Sequence, residues 1–239
     1  MDAQPDRRAA ASSAGLTIAV RKLESDRIRE LLIAKSKSSS RWLQRHVKDP
    51  YVRRARSDGY RSRAAFKLIE INTRERLLIP GAKVVDLGAA PGGWSQVAAQ
   101  KVGAGGAVIA IDLLEIAPMS GVTVFRGDFR QPEIQAQLVA ALGGQKADAV
   151  LSDLSPNISG IASADQARAA ELVRMAIEFC RAQLKPDGAF LVKVFQGEEF
   201  SGILKELKSV FRDVRTIKPS ASRDESRETY LLARGLKTA

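Results

Sequence analysis

Short apolar stretches alternate with helical patterns from Gly81 to near the C-terminus, and this alternation constrains the fold more than any other feature. The strands that it predicts are residues 83–87, 107–112, 122–125, 147–153, 189–195, 214–217 and 229–233. Strands that alternate with helices in this way form parallel sheets covered by helices. The sequence therefore predicts an α/β domain built on a mostly parallel sheet.

The predicted helix boundaries follow from capping residues and helix breakers. Ser62 is expected to cap a helix whose apolar stripe includes Phe66. Ser163 and Gln166 have the spacing of a capping box, and the helix that they open is expected to end before Pro186. The sequence predicts two further helices, over residues 25–35 and 199–211.

Positive charge is concentrated at one end of the chain. The net charge is +11 over 239 residues, and residues 1–63 contain 16 Lys and Arg against 7 Asp and Glu. Residues 64–239 are nearly balanced. We divide the chain into a basic extension over residues 1–37, expected to be partly disordered or helical, and a domain over residues 38–239. A basic arm on a nearly neutral body is typical of polyanion binding.

Within the domain, the basic segment 41–76 mixes arginines with Trp42, Tyr51 and Tyr60. Guanidinium groups pair with phosphates and aromatic rings stack on bases, so this mixture favours RNA over a plain solvated face. The candidate RNA-binding residues are Arg41, Arg53, Arg54, Arg56, Arg61 and Arg63.

Composition excludes several classes of protein. The single cysteine, Cys180, cannot form a disulfide framework or a thiolate zinc site, and the single histidine, His46, leaves no His-rich metal site. We therefore expect no bound metal. The longest apolar runs, such as residues 107–111, are too short to span a bilayer, and the N-terminus lacks an export pattern. We expect a cytoplasmic protein that does not bind membranes.

Four aspartates lie at or just after the ends of successive predicted strands: Asp86, Asp112, Asp128 and Asp153. A single aspartate at such a position is more often a turn former or a helix cap. Ligands of open α/β sheets, however, bind at the carboxyl ends of the strands. Four successive carboxylates therefore indicate one binding crevice.

The first strand runs into a glycine turn, Gly88-Ala89-Ala90-Pro91-Gly92. This turn departs from the dinucleotide fingerprint, because Ala90 occupies the second glycine position, and no Gly-Lys-Ser/Thr follows it to hold phosphates. Asp112, about 20 residues further on, has the spacing of a carboxylate that accepts ribose hydroxyls. A nucleoside without a pyrophosphate fits best, which favours S-adenosylmethionine over NAD.

Two lysines stand out against this background. Lys193 interrupts the apolar strand 189–195 near its carboxyl end, where a buried ammonium is costly unless it is paired. Lys67 has helical spacing and could be a surface residue. If the last strand runs antiparallel, Glu228 at its start lies at the same edge as Asp153, and the four side chains can meet.

From about residue 38 to the C-terminus, roughly 200 of 239 residues, the chain resembles the FtsJ/RrmJ-type ribosomal RNA 2′-O-ribose methyltransferases (the RlmE family). The stretches that carry the resemblance are residues 38–44 (SSSRWLQ), 61–68 (RSRAAFKL), 84–96 (VVDLGAAPGGWSQ), 127–130 (GDFR), 156–160 (PNISG), 192–197 (VKVFQG) and 226–228 (SRE). Leu154-Ser155-Pro156 stands where Met-Ala-Pro is common in the family.

The resemblance implies a Rossmann-like methyltransferase fold with a seven-stranded sheet, helices on both faces and an antiparallel last strand. It implies S-adenosylmethionine as the cofactor and, as substrate, a uridine 2′-hydroxyl in 23S ribosomal RNA within the large ribosomal subunit. One crevice per chain makes a monomer sufficient. The implied catalytic tetrad is Lys67, Asp153, Lys193 and Glu228, and the implied cofactor contacts are Gly92, Trp94, Asp112, Asp128 and Asp153.

Lys193 is the candidate general base for the 2′-hydroxyl. A free lysine is protonated near neutral pH, so the sequence leaves open whether Lys193 removes the proton or stays charged and orients the hydroxyl. Two other functions also stay open. One is 2′-O-methylation of transfer RNA or of a messenger cap, and the other is a non-catalytic RNA-binding role in ribosome assembly.

Overall fold

The computed structural model describes residues 49–223 and 226–237. The helices are α1 (Pro50–Ser57), α2 (Ala64–Glu75), α3 (Gly93–Val102), α4 (Pro132–Ala141), α5 (Ala162–Gln183) and α6 (Phe200–Val210). The strands are β1 (Lys83–Leu87), β2 (Ala107–Asp112), β3 (Val122–Arg126), β4 (Ala147–Ser152), β5 (Leu184–Phe195), β6 (Phe211–Ile217) and β7 (Glu228–Leu236). The basic extension 1–37 with its predicted helix 25–35, and Arg41, lie outside the described residues.

The strands form one sheet in the order β3-β2-β1-β4-β5-β7-β6. Strands β1 to β5 are parallel to one another, and β7 is antiparallel to both β5 and β6. The predicted α/β class and the antiparallel last strand are confirmed. As a result, the C-terminal ends of β1 to β5 and the first residue of β7 lie at one edge of the sheet, the carboxyl edge.

Helices cover both faces of the sheet because both faces are apolar. Val84 of β1 packs in a cluster with Leu68 of α2 and Val97 of α3. Its neighbour Val85 points to the opposite face and packs in a cluster with Ile177 of α5 and Leu207 of α6. A strand buried on both faces reads as a continuous apolar run, as β1 does apart from Asp86. No helix within the described residues is long and apolar enough to span a bilayer.

Both predicted helix caps are wrong. Helix α2 has Arg63 at its N-cap position, and the Ser62 hydroxyl, which has no hydrogen-bond partner among the described residues, packs against Gly93 instead. Helix α5 begins after Ile161, without a side-chain cap. The side chain of Gln166 accepts the Glu198 N–H at 3.1 Å rather than closing a capping box. Tertiary contacts override the local capping pattern at both sites.

Strand β5 is longer than predicted. It begins at Leu184, immediately after α5, and includes Pro186 and Gly188, two residues that disfavour a strand. Its pairing with β4 shifts register at Ala147/Ala149, and such irregularities accommodate a residue without a ladder N–H. The helix does end before Pro186, as predicted.

Candidate active site

The pairing of β5 with β7 brings four side chains onto one face of the sheet at the carboxyl edge. Lys193 lies opposite Tyr230, and Phe195 lies opposite Glu228. Residues that are directly opposite share a face, as do residues two apart along one strand. The register therefore places Lys193, Phe195, Glu228 and Tyr230 together. Lys67 of α2 reaches this face from above, and Asp153 follows β4 at the same edge.

The four residues of the predicted tetrad form two ion pairs. The Lys193 Nζ atom lies 3.2 Å from Asp153 Oδ1 and donates a hydrogen bond to the Asp153 carbonyl oxygen at 2.9 Å. The Lys67 Nζ atom lies 2.9 Å from Glu228 Oε2. Both lysines are buried, with 8% of Lys67 and 7% of Lys193 exposed, so each depends on its carboxylate partner. The structure thus brings the four residues together as the sequence predicted.

Tyr230 joins the two ion pairs and was not predicted. Its hydroxyl accepts a hydrogen bond from Lys67 Nζ at 3.1 Å and donates one to Asp153 Oδ1 at 3.3 Å. The ring is fully buried, and burial, followed by the charges of Asp153 and Glu228, raises the pKa of the Tyr230 hydroxyl. The hydroxyl therefore stays protonated and can hold Lys67 and Asp153 in register. The sequence does contain a signal for this role, because Tyr230 follows Glu228 by two residues and therefore lies on the same face of the strand.

Opposing effects act on the pKa of Glu228. Burial by itself raises the pKa, but the charges of Lys67 and Lys193 and hydrogen bonds from Lys67 and Ser226 outweigh it. The pKa of Glu228 is therefore lower than that of an ordinary glutamate, and the carboxylate is ionised at neutral pH. An ionised Glu228 keeps Lys67 fixed beside Tyr230, which in turn contacts Asp153.

On the other side of β4, the glycine turn after β1 shapes the predicted crevice. Gly88 has a positive φ of 77°, and a Cβ there would lie 2.8 Å from the backbone of Leu154. Only glycine therefore lets the turn approach the loop after β4 this closely. Asp112, at the end of β2, spans the turn: its carboxylate accepts the N–H groups of Ala90 at 2.9 Å and Leu114 at 2.8 Å.

Asp86 lies inside β1 rather than at its end. It is fully buried, and its Oδ2 accepts the Ser95 hydroxyl at 2.6 Å, whereas Oδ1 has no partner among the described residues. Burial, and then the charges of Asp153 and Asp112, raise the pKa of Asp86 to about 7. The charges of Asp153 and Asp112 thus act on Asp86 and make the carboxyl edge negative.

Two further predicted cofactor contacts are occupied within the protein. The Trp94 indole is buried, and its Nε1 donates to the Ala64 carbonyl at 2.9 Å, so only its backbone at the start of α3 could face a ligand. Asp128 is held by Arg130 at 2.6 Å, and hydrogen bonds from Arg130 lower the pKa of Asp128. Gly92 lies under Arg61 and Met119, which a Cβ would approach to 3.1 Å and 2.5 Å. Cofactor contacts at these three residues stay a prediction.

The predicted RNA-binding arginines fall into two groups. Arg53, Arg54 and Arg56 are exposed on α1, which packs through Ala55 against Phe66, the neighbour of Lys67. Arg61 instead donates to the carbonyl oxygens of Ala117 at 2.5 Å and Pro118 at 2.8 Å.

Arg63 is partly buried between α1 and the segment before β7. It donates to the Ala221 carbonyl at 2.5 Å, and its guanidinium lies 5.8 Å from the Tyr51 ring centroid. Burial, and then Arg223, lower the pKa of Arg63, although Glu228 and Tyr230 raise it. The contacts of Arg61 and Arg63 are thus structural, and an RNA contact by either residue stays a prediction.

The residues of the crevice suit a cationic nucleoside. Each carboxylate oxygen of Asp112 accepts one N–H and retains a lone pair for a ribose hydroxyl. The charges of Asp153 and Asp112, which raise the pKa of the buried Asp86, favour a positively charged group in the crevice. Among the described residues, no cluster of His, Cys, Asp and Glu could hold a metal ion.

Comparisons with known proteins agree with this geometry. The family described as FtsJ-like methyltransferase matches residues 60–236. A relative from Chromohalobacter salexigens, named ribosomal RNA large subunit methyltransferase E, is 54% identical over 200 residues, which cover 84% of this chain and 95% of the relative. A relative of the same name from Methylobacillus flagellatus is also 54% identical and covers 84% of this chain and 96% of the relative.

Solved structures show the same fold. A ribosomal RNA methyltransferase structure from Plasmodium falciparum, described as putative, superposes with a TM-score of 0.66 at 28% identity, over 74% of this chain and 98% of that one. Fibrillarin from Aeropyrum pernix, solved with S-adenosyl-L-methionine, superposes with a TM-score of 0.51 at 18% identity, over 73% of this chain and 75% of that one. The second likeness concerns the fold alone. With the family match spanning most of the domain, the chain belongs to the FtsJ-like methyltransferase family.

Proposed function

We propose that this protein transfers a methyl group from S-adenosylmethionine to the 2′-hydroxyl of a uridine in 23S ribosomal RNA. The observation that carries the proposal is the pair of buried lysine–carboxylate contacts joined by Tyr230, next to the Asp112 crevice, in a chain of the FtsJ-like family. A buried lysine is costly for a scaffold that only binds RNA, so its presence favours a catalytic protein.

In this proposal, the carboxyl edge divides into a donor side and an acceptor side. Asp112 holds the ribose of the cofactor, and its charge, together with that of Asp153, makes this edge negative. Lys193 and Asp153 face the acceptor hydroxyl. When bound, S-adenosylmethionine supplies a methyl group on a positively charged sulfur, which keeps the electron pair of the broken C–S bond as the new C–O bond forms.

We propose that Lys193 is the general base of the reaction. The hydroxyl proton passes to its Nζ atom, which must be neutral to accept it and becomes an ammonium. The contacts with Asp153 fix the direction of Nζ, so the hydroxyl meets it in a defined geometry. Lys67, Glu228 and Tyr230 keep Asp153 and Lys193 in position and do not themselves exchange the proton.

The setting of the reaction is also a proposal. The relatives are named for the large ribosomal subunit, so we infer that the substrate is 23S RNA within that subunit, in the cytoplasm. The tetrad comes from one chain, so a monomer is sufficient for the chemistry.

Labelled methyl transfer tests the function directly. We expect the purified protein to label large subunits from a bacterial strain that lacks this modification, and to place the label on one uridine ribose of 23S RNA. Mapping the labelled nucleotide gives the result. Labelling of transfer RNA or of capped RNA in place of 23S RNA would contradict the substrate, and no transfer to any RNA would contradict catalysis.

The exposed arginines of α1 predict a salt-dependent contribution to RNA binding. Replacing Arg53, Arg54 and Arg56 with alanine is expected to weaken binding of the subunit and to lower the slope of log affinity against log salt by about 2 to 3, since each phosphate contact contributes about 0.7 to 0.9. Titrations at several salt concentrations measure both quantities.

A matched control removes the same charge elsewhere. Lys205, Lys208 and Arg212 are exposed near the C-terminal end of α6 and the first residues of β6. This end of β6 pairs with the end of β7, away from the carboxyl edge. The corresponding triple alanine variant is expected to leave the salt slope nearly unchanged. Equal slopes for both triple variants would mean that α1 carries only solvated charge.

A further inference from the structure

A cavity of about 180 Å³ opens at the carboxyl edge beside Lys193, on the side of the loop between β4 and α5. Its walls come from that loop (Pro156 and Ile158), from the first turns of α5 (Ala162 and Gln166), and from Phe195 and Gln196 at the end of β5. Neither the two ion pairs nor the Asp112 crevice uses these walls. The cavity therefore needs an explanation of its own.

The cavity lies next to Lys193 and Asp153, although neither residue lines it. The Phe195 ring lies with its centroid 5.8 Å from Lys193 Nζ, and Phe195 follows Lys193 by two residues on the same strand face. Asp153, the partner of Lys193, leads directly into the loop that forms the opposite wall. A group attached to the sugar whose hydroxyl meets Lys193 thus lies within reach of the cavity.

The walls of the cavity are held in place by hydrogen bonds. Asp165 accepts the N–H groups of Ser159 at 2.9 Å and Gly160 at 3.0 Å, which ties the loop to α5. On the opposite rim, Gln196 N–H donates to the Arg227 carbonyl at 2.9 Å. Hydrogen bonds within the protein therefore hold both rims of the cavity, so the cavity is already shaped before a ligand binds.

The size and chemistry of the cavity fit a single aromatic ring. Ligand pockets for whole small molecules are typically about 300 to 1,000 Å³, so this smaller cavity suits one ring better than a whole nucleotide. The Ile158 side chain is 78% exposed. A flat aromatic ring that packs on it removes apolar surface from water, which stabilises the contact. The Gln196 amide carries both a donor and an acceptor, as does the edge of uracil.

We propose that this cavity receives the base of the nucleotide that is methylated. The base leaves the RNA stack and enters between Ile158 and Phe195, which directs its ribose 2′-hydroxyl towards Lys193. This inference rests on the proposed function and adds to it a recognition site for the target base. Contacts with the sugar and the phosphate carry no information about which base is present. A site for the base would let an enzyme that modifies the ribose distinguish the target nucleotide from its neighbours.

Filling the cavity tests the inference. Ala162 is exposed at the first position of α5 and lines the cavity, so Ala162→Trp occupies it without disturbing the core. We expect the KM for large ribosomal subunits from a strain lacking the modification to rise about tenfold or more, with the KM for S-adenosylmethionine unchanged. The control is Ala167→Trp, at an exposed position of the same helix that does not line the cavity.

A second pair of variants removes a wall. Ile158→Ala is expected to raise the KM for subunits severalfold, whereas Ile161→Ala, 63% exposed in the same loop but outside the lining, leaves it unchanged. An unchanged KM for subunits in both Ala162→Trp and Ile158→Ala, with an active wild type, overturns the base site alone. A raised KM for S-adenosylmethionine in place of subunits also overturns it. A wild type that methylates no RNA overturns the proposed function itself.

Discussion

Replacing Lys193 with alanine is expected to slow methyl transfer by at least 10² to 10⁴-fold, the usual contribution of a general base, and to leave the fold and cofactor binding nearly intact. In the proposed mechanism its Nζ atom, which lies 3.2 Å from Asp153 Oδ1, receives the hydroxyl proton. Asp112, which we assign to the cofactor, lies beyond β4 and does not contact Lys193. Single-turnover labelling measures transfer, while calorimetry and circular dichroism measure binding and folding.

The variant Lys193→Arg separates a base from a fixed positive charge. Arginine keeps the charge and the donors but cannot give up a proton in a protein, so it cannot serve as a base. If Lys193 removes the proton, Lys193→Arg is as slow as Lys193→Ala. Substantial activity in Lys193→Arg would instead assign Lys193 to orienting the hydroxyl.

Lys185 provides the matched control on the same strand. It is also paired with an aspartate, with its Nζ 2.5 Å from Asp148 Oδ1, but it lies at the opposite end of β5. Lys185→Ala removes an ion pair on the same strand, although a more exposed one, without touching the carboxyl edge, and we expect normal transfer. A similar loss of activity in both variants would point to damage of β5 rather than to loss of a base.

The parts of the fold that the sequence could predict are those with a strong local pattern. The buried strands β1 and β2 were predicted with the bounds that the structure shows, because continuous apolar runs bounded by polar turns allow few alternatives. The start of β5 was not predictable, because Pro186 and Gly188 favour a break locally, whereas Leu184 and Ala189 on either side of them pair with β4. Helix α1, whose eight residues include three arginines, gave no clear apolar stripe and was missed.

The same division applies to the site. The tetrad could be assigned from motifs, and its meeting point followed from strand order, since Glu228 is brought to Phe195 by the antiparallel register. Motifs could not show which side chains form hydrogen bonds within the protein and are therefore not free to bind a ligand. Arg61 looked like a phosphate ligand but donates to three backbone carbonyls, and the Trp94 indole is buried against Ala64. Such roles depend on contacts between residues that are 30 or more positions apart.

The fully buried Asp86 is expected to make the protein less stable as the pH rises from about 4 to 7. Its pKa is about 7 in the folded chain, whereas an aspartate in an unfolded chain has a pKa of about 3.9. Between these values the folded state binds one more proton than the unfolded state, so the free energy of unfolding falls with pH. A difference of about three pH units corresponds to a loss on the order of 4 kcal/mol.

Asp86→Asn tests this directly, because an amide does not titrate and its oxygen can still accept the Ser95 hydroxyl. We expect the free energy of unfolding of the wild type to fall between pH 5 and pH 8, and that of Asp86→Asn to fall much less. Carboxylates whose pKa is lowered, such as Glu228 and Asp165, stay ionised above pH 5 and do not contribute in this range. Denaturant unfolding at each pH provides the measurement.

Comparing slopes rather than absolute stabilities removes the cost of burying an unpaired amide N–H, which is the same at every pH. Asp187→Asn, at an exposed position, is the control and is expected to keep the wild-type slope. Parallel curves for the wild type and Asp86→Asn would show that Asp86 is ionised throughout the range. Its unpartnered oxygen would then have to be stabilised by something other than a proton, such as a buried water.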